Sequence, residues 1–204
     1  MHFRVTKVYS PKTKGGWGLS EWRNLFKEAY SCRELVWRLF IRDFNARYRQ
    51  SVLGAAWSVI FPSVTVLTFM FLNSSGLFHF GTISVPYPIY ALLGLSVWQV
   101  FAGGVTTCSN AITSSGNMVI KINFPKVALV IASMGQVLFE FAVRIILLIL
   151  CMSYFKVVPK WTIVFVPIIL FCTVLLTLGI GFITSLANVV LRDIANVATL
   201  SMGL

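Results

Sequence analysis

Hydrophobic positions along the 204-residue chain fall into four long blocks behind a polar, basic head. The first block, residues 52–72, carries no charged side chain. As a helix rising about 1.5 Å per residue it reaches about 31 Å, enough to cross the hydrocarbon core of a bilayer. Pro62 sits in its middle and predicts a kink, because its ring blocks the backbone bond four residues back. Residues 73–87 contain no Lys or Arg and form a short external loop. A second span follows over 88–110, a third over 127–154 and a fourth over 161–190, with another weakly apolar segment beginning at 194. The pattern predicts an all-α, polytopic membrane protein with four transmembrane helices.

Ahead of the first span the periodicity changes. Wound as a helix at about 100° per residue, residues 33–50 place Val36, Trp37, Phe40, Ile41, Phe44 and Tyr48 on one apolar arc. Arg38, Arg42, Asn45 and Arg49 form a narrow stripe opposite, and Asp43 belongs to the same helix. Such a helix suits the cytoplasmic membrane interface, its apolar side among acyl chains and its arginines among anionic headgroups. Arg47 breaks the pattern by falling on the apolar arc, next to the point where the chain turns into the bilayer. Its stem could snorkel to the headgroups. A surface anchor with no further role has the same signature.

Composition agrees with this layout. The chain is 57% hydrophobic and 11% charged, with a mean hydropathy of +0.84, whereas soluble domains carry about 25% charged residues. The net charge of +11 would suit nucleic acid, but eleven of the 17 lysines and arginines precede residue 50. A basic head on an apolar body is the positive-inside pattern, which places the N-terminus in the cytoplasm and excludes a nucleic-acid groove. Residues 1–30 lack a continuous apolar core and read as a cytoplasmic lead rather than a signal peptide. Cys32, Cys108, Cys151 and Cys172 have no metal-type spacing, so neither a metal nor a cofactor is implied. The chain has no phosphate-binding loop motif of its own, and no catalytic residue set suggests an enzyme.

Three features carry chemistry. Residues 114–126 return to the cytoplasm with Lys121 and Lys126, yet Met118, Ile120, Ile122 and Phe124 make the segment too apolar for a solvated loop. A short helix offering an apolar face to another protein fits, as does one lying on lipid. In the third span Glu140 and Arg144 are four residues apart and share a helix face. They form either a structural ion pair or a polar part of a substrate path. Tyr87, Trp98 and Phe101 could stack on sugar rings or simply pack at an interface.

Arg42 with Asp43, the basic-aromatic run Arg47, Tyr48 and Arg49, then Leu53, Gly54 and Trp57 resemble the opening of the membrane subunit of polysaccharide ABC exporters, of the ABC-2 type. Gly94 with Trp98, the run Ile120 to Pro125, and Arg192 with Asp193 fall where that family has like residues. The resemblance covers about residues 30–204 and makes 31–204 the transmembrane domain. It implies a homodimeric permease of the plasma membrane, the inner membrane of the cell, that moves lipid-linked O-antigen, capsule or teichoic acid chains through a channel at its dimer interface. An ABC ATPase subunit would supply the energy, docking on a coupling helix around Asn117, Met118, Ile120, Lys121, Phe124 and Pro125. The family has six spans with re-entrant helices between the last two, so a chain of four spans is expected to lack its C-terminal part. Alternatives are a permease for a drug or another lipid, a non-transporting assembly protein, and a polyprenyl-sugar transferase.

Overall fold

The computed structural model describes residues 32–49, 53–75, 85–115, 126–158 and 161–203. Six α-helices and two short 3-10 turns account for nearly all of them, and no strand occurs among the described residues. The helices are α1 (Arg33–Tyr48), α2 (Trp57–Ser74), α3 (Tyr87–Ser114), α4 (Lys126–Tyr154), α5 (Val166–Val190) and α6 (Asp193–Gly203). The 3-10 turns, Gly54–Ala56 and Trp161–Phe165, lead into α2 and α5.

Three of these stretches are long and apolar enough to cross a membrane: Tyr87–Ser114, Lys126–Tyr154 and Ile163–Val190. The first predicted span is shorter, its apolar helix covering Trp57–Leu72. Gly54, in the left-handed region at φ 48°, separates α1 from α2 and postpones the start of the helix. The chain is an all-α, multi-pass membrane protein.

The ends of the helices follow local chemistry. Pro86 precedes α3 and Pro88 lies in its first turn, where a missing N–H breaks no helical bond. Pro167 opens α5 in the same way. Pro62 lies inside α2 and cannot donate to the Ser58 carbonyl. At its far end α4 closes with Lys156 at φ 53° and a hydrogen bond from the Val157 amide to the Met152 carbonyl, 3.0 Å. This is the Schellman arrangement, usually made with glycine at the left-handed position.

The bundle is built around α3. In its most apolar stretch 39% of the residues are buried inside the protein, against 17% for α4 and 6% for α5, so most of α5 faces outward. One core joins α1, α3 and α4 through Leu39, Val100, Cys108, Ile112, Leu129, Met134 and Val137. A smaller one at the opposite end joins α3 and α4 through Ile89, Leu92 and Leu148.

Where α3 meets α5, packing in an apolar solvent depends on close approach rather than on hydrophobicity. A Cβ at Gly104 would stand 2.3 Å from Thr177 Cγ2, and one at Gly181 would stand 2.7 Å from Cys108 Cβ. Each glycine therefore receives a small side chain of the other helix directly against its backbone. Polar side chains fasten the same seam. The Ser109 and Thr184 hydroxyls lie 2.7 Å apart, and buried Asn188 donates to the Ser109 carbonyl at 3.0 Å and to Thr113 Oγ1 at 3.2 Å. The Asn188 carbonyl oxygen accepts the Ala195 amide at 3.3 Å, which caps the first turn of α6.

Candidate functional site: an ionic cleft where α1 meets α2 and α4

The α1 sequence contains neither Gly nor Pro, and it carries Glu34 in its first turn and Arg47 in its last, the signs that complement a helix dipole. Arg38 pairs with Glu34 at 2.7 Å on the exposed side. Leu39 is buried, with Leu35, Val36 and Phe40 packed around the same core. The Phe40 ring lies over Gly135 of α4, 3.1 Å from where a Cβ would be. Phe44 meets Phe139 edge-on at 4.8 Å. From Phe40 on Gly135, through Phe44 on Phe139, to Arg47 on Glu140, the contacts advance together along both helices.

The apolar arc expected among acyl chains is therefore split. Phe40 and Phe44 face α4, while Trp37 and Ile41 stay exposed. Gly135 gives the physical reason, since it leaves a groove into which an aromatic ring fits.

Arg47 also departs from expectation. Instead of reaching for headgroups, its Nη1 donates to Glu140 Oε1 at 2.6 Å. Arg144 Nη2 stands 3.7 Å from the other oxygen of the same carboxylate. Glu140 thus lies between two guanidinium groups, one from its own helix and one from α1. The Glu140 and Arg144 side chains are mostly buried, and Arg47 is half exposed. A carboxylate at this depth needs compensation, and Arg47 occupies the apolar side of α1 because that compensation lies there.

Around this cluster is a cleft of about 160 Å³ lined by Arg47, Tyr48, Trp57, Ser58, Phe61, Pro62, Glu140 and Arg144. It joins the end of α1, the part of α2 that holds Pro62 and the middle of α4. Trp57 and Phe61 stack along one wall, centroids 5.0 Å apart. A cleft with two arginines and one glutamate keeps one positive charge in excess, so it favours an anionic or polar group over a cation.

The remaining sequence-derived candidates divide. Arg42 holds Asp43 at 2.6 Å and also reaches Ser115 Oγ at 3.3 Å, tying α1 to the end of α3. Arg49 follows α1, its amide bonded to the Asn45 carbonyl. Trp98 lies 5.8 Å from Phe101, whereas Tyr87 meets Phe69 at 5.6 Å. Eleven residues of helix, about 16 Å, separate Tyr87 from Trp98, so the three aromatics do not share a site. Asn117, Met118, Ile120, Lys121, Phe124 and Pro125 lie outside the described residues.

Sequence reasoning missed the Asn188 network. Its signal was present: Thr177, Gly181, Ser185 and Asn188 recur at helical spacing in an otherwise aliphatic block.

Comparison with known proteins decides the family. The model of the ABC-2 type transporter family matches residues 34–204. The chain belongs to this family. The chain is similar to a relative named O-antigen export system permease protein RfbA in Myxococcus xanthus, 27% identical over 177 residues, which cover 86% of this chain and 66% of the relative. A protein of the same name from Klebsiella pneumoniae is 24% identical over 165 residues, covering 80% of this chain and 62% of the relative. The ABC-2 chain spans less than two thirds of the length of these curated relatives.

Proposed function

We propose that this chain is the permease part of an ATP-driven exporter that moves lipid-linked polysaccharide of the O-antigen type across the cytoplasmic membrane. The observation that carries the reading is the family match over residues 34–204, joined by relatives whose name is O-antigen export permease. That name favours a polysaccharide over a drug as cargo. The permease works as a homodimer, with its N-terminus in the cytoplasm and an ABC ATPase bound below.

In this reading α1 is the element that meets lipid headgroups, through Arg38, Arg42, Arg47, Tyr48 and Arg49. Its link to Glu140 makes the cleft responsive to what binds at the membrane surface. Residues 117–125 receive the ATPase, because a permease without a nucleotide site must take up work through a cytoplasmic contact. The long apolar residues Met118, Ile120 and Phe124 supply the docking face, flanked by Asn117, Lys121 and Pro125.

The test is complementation of an exporter-deletion strain with the full-length protein and its Ile120→Asp variant, scoring surface glycan and co-purified ATPase at matched membrane levels. Wild-type rescue with loss of both in the variant is expected. Normal ATPase binding and export by Ile120→Asp would remove the loop from the mechanism, and failure of the wild-type chain to restore glycan would remove the cargo. Orientation is tested separately by single cysteines at Ser75 and Ser114. Labelling of position 114 but not 75 from outside would reverse the topology.

A further inference from the structure

Helix α3 carries two polar faces, and among the described residues only one of them is used in packing. The face bearing Gly104 and Cys108 is sealed against α4 and α5. Opposite it, Gln99, Gly103, Thr106, Asn110 and Ser114 recur at i, i+4, i+7, i+11 and i+15. At about 100° per residue these five positions fall within an arc of about 80°, and they extend about 22 Å along the axis at 1.5 Å per residue. Gln99, Asn110 and Ser114 are exposed, and Gly103 and Thr106 partly so.

This arrangement is costly in hydrocarbon, where an amide finds no partner. The helix itself absorbs only part of the demand. The Thr106 hydroxyl donates to the carbonyls of Ala102 and Gly103, and Asn110 Nδ2 donates to the Thr106 carbonyl at 3.2 Å. A side-chain amide has two donors and a two-lone-pair acceptor, so hydrogen-bonding capacity remains on the surface. None of the five residues is ionisable. The stripe is therefore a neutral, hydrogen-bonding track on a membrane-spanning helix, and the ion cleft near Glu140 is not part of it.

We infer that this face of α3 lines a water-filled passage and offers hydrogen bonds to a neutral, polyhydroxylated chain moving through it. The inference rests on the export reading above and names the residues along which the glycan would travel. Uncharged amides and hydroxyls suit this cargo, because they exchange bonds with sugar hydroxyls as readily as with water and impose no deep charge trap. The other use of a polar membrane face is contact with a second helix, where amides can also bond, as Asn188 does to Ser109 and Thr113, and the experiment below separates the two.

The test is cysteine substitution at Gln99, Gly103, Thr106 and Asn110 in the full-length protein with its native cysteines replaced, assembled with its ATPase in membrane vesicles. A membrane-impermeant methanethiosulfonate is the probe, with Leu175→Cys and Ile183→Cys on the outward face of α5 as controls. Reaction at least tenfold faster at the four stripe positions than at the controls is expected. Equal inertness at all six would overturn the passage, and so would spontaneous disulfides joining two copies through the stripe, which would make it a subunit contact. If the cysteine-free background is unstable, the excess labelling over the parent in the native-cysteine protein gives the same comparison. Labelling is independent of cargo: a reactive stripe in a chain that fails to restore O-antigen would retire the cargo and keep the passage. Export should fall at least fivefold in Gln99→Leu/Asn110→Leu at normal membrane levels, and unchanged export would overturn the role in cargo contact.

Discussion

Arg47 and Glu140 are 93 residues apart in the chain and 2.6 Å apart in the structure. Their pairing joins α1 to the middle of α4 and makes Glu140 the shared anion of two arginines. Removing the anion and removing the outer cation should then have different effects. Glu140→Gln leaves mostly buried Arg144 without its counter-ion and should cost about 3 kcal/mol. Arg47 is half exposed, so Arg47→Gln should cost under about 1 kcal/mol. Thermal unfolding in detergent checks the order, and equal losses would mean that Arg144 draws its compensation from elsewhere.

Gly135 should tolerate Ala poorly and Val hardly at all. A Cβ there lies 3.1 Å from the Phe40 ring, which can yield a little, but a branched side chain must push α1 off α4. Gly135→Val is expected to expose the α1 segment to protease while α3 and α5 stay protected. A cleavage pattern like that of the parent would show that the ring is not what seats α1.

The seam between α3 and α5 makes a compensable prediction. Gly104→Ala should destabilise by about 1–3 kcal/mol through overpacking, since the added methyl lands on Thr177 Cγ2. Thr177→Ser removes that methyl while keeping the hydroxyl that bonds to the Thr173 carbonyl. The double variant should regain most of the melting temperature lost by Gly104→Ala, and simple additivity would place the strain at Met134 instead.

Asn188→Leu removes two donated hydrogen bonds and the cap of α6 at once. A loss of about 2–3 kcal/mol is expected from the partners left behind, with faster hydrogen exchange at the Ala195 amide. Exchange there at the parent rate would show that α6 does not depend on the cap.

Lys156→Gly should stabilise the end of α4 by about 1 kcal/mol, because the position at φ 53° is one that a side chain enters at a cost. A higher melting temperature is the readout. No gain would mean that the lysine side chain returns as much as its backbone loses.

The apolar blocks and their order were legible in the sequence because hydropathy and helical period are local properties. The second, third and fourth spans lie within a few residues of their predicted ends, while the first is shortened by Gly54, whose left-handed backbone no periodicity reveals. The cluster was half legible. Glu140 and Arg144 share a helix and announce themselves at four-residue spacing. Arg47 registered only as a misplaced charge, because its partner lies on another helix. The same limit applies to Asn188, whose bonds run to Ser109, Thr113 and Ala195 on two other helices.

The Asn188 junction has a mechanical consequence. One buried amide holds the last turns of α3, the end of α5 and the first turn of α6, and the glycine contacts at Gly104 and Gly181 leave that seam no room to slide. These three helices behave as a stator. The joint that can be remade is the ionic one at the end of α1, where half-exposed Arg47 can trade Glu140 for water or headgroups at little loss. The give in this bundle therefore lies at the Arg47 end of α1, next to the left-handed Gly54, while Leu39 and Phe40 keep the rest of that helix seated.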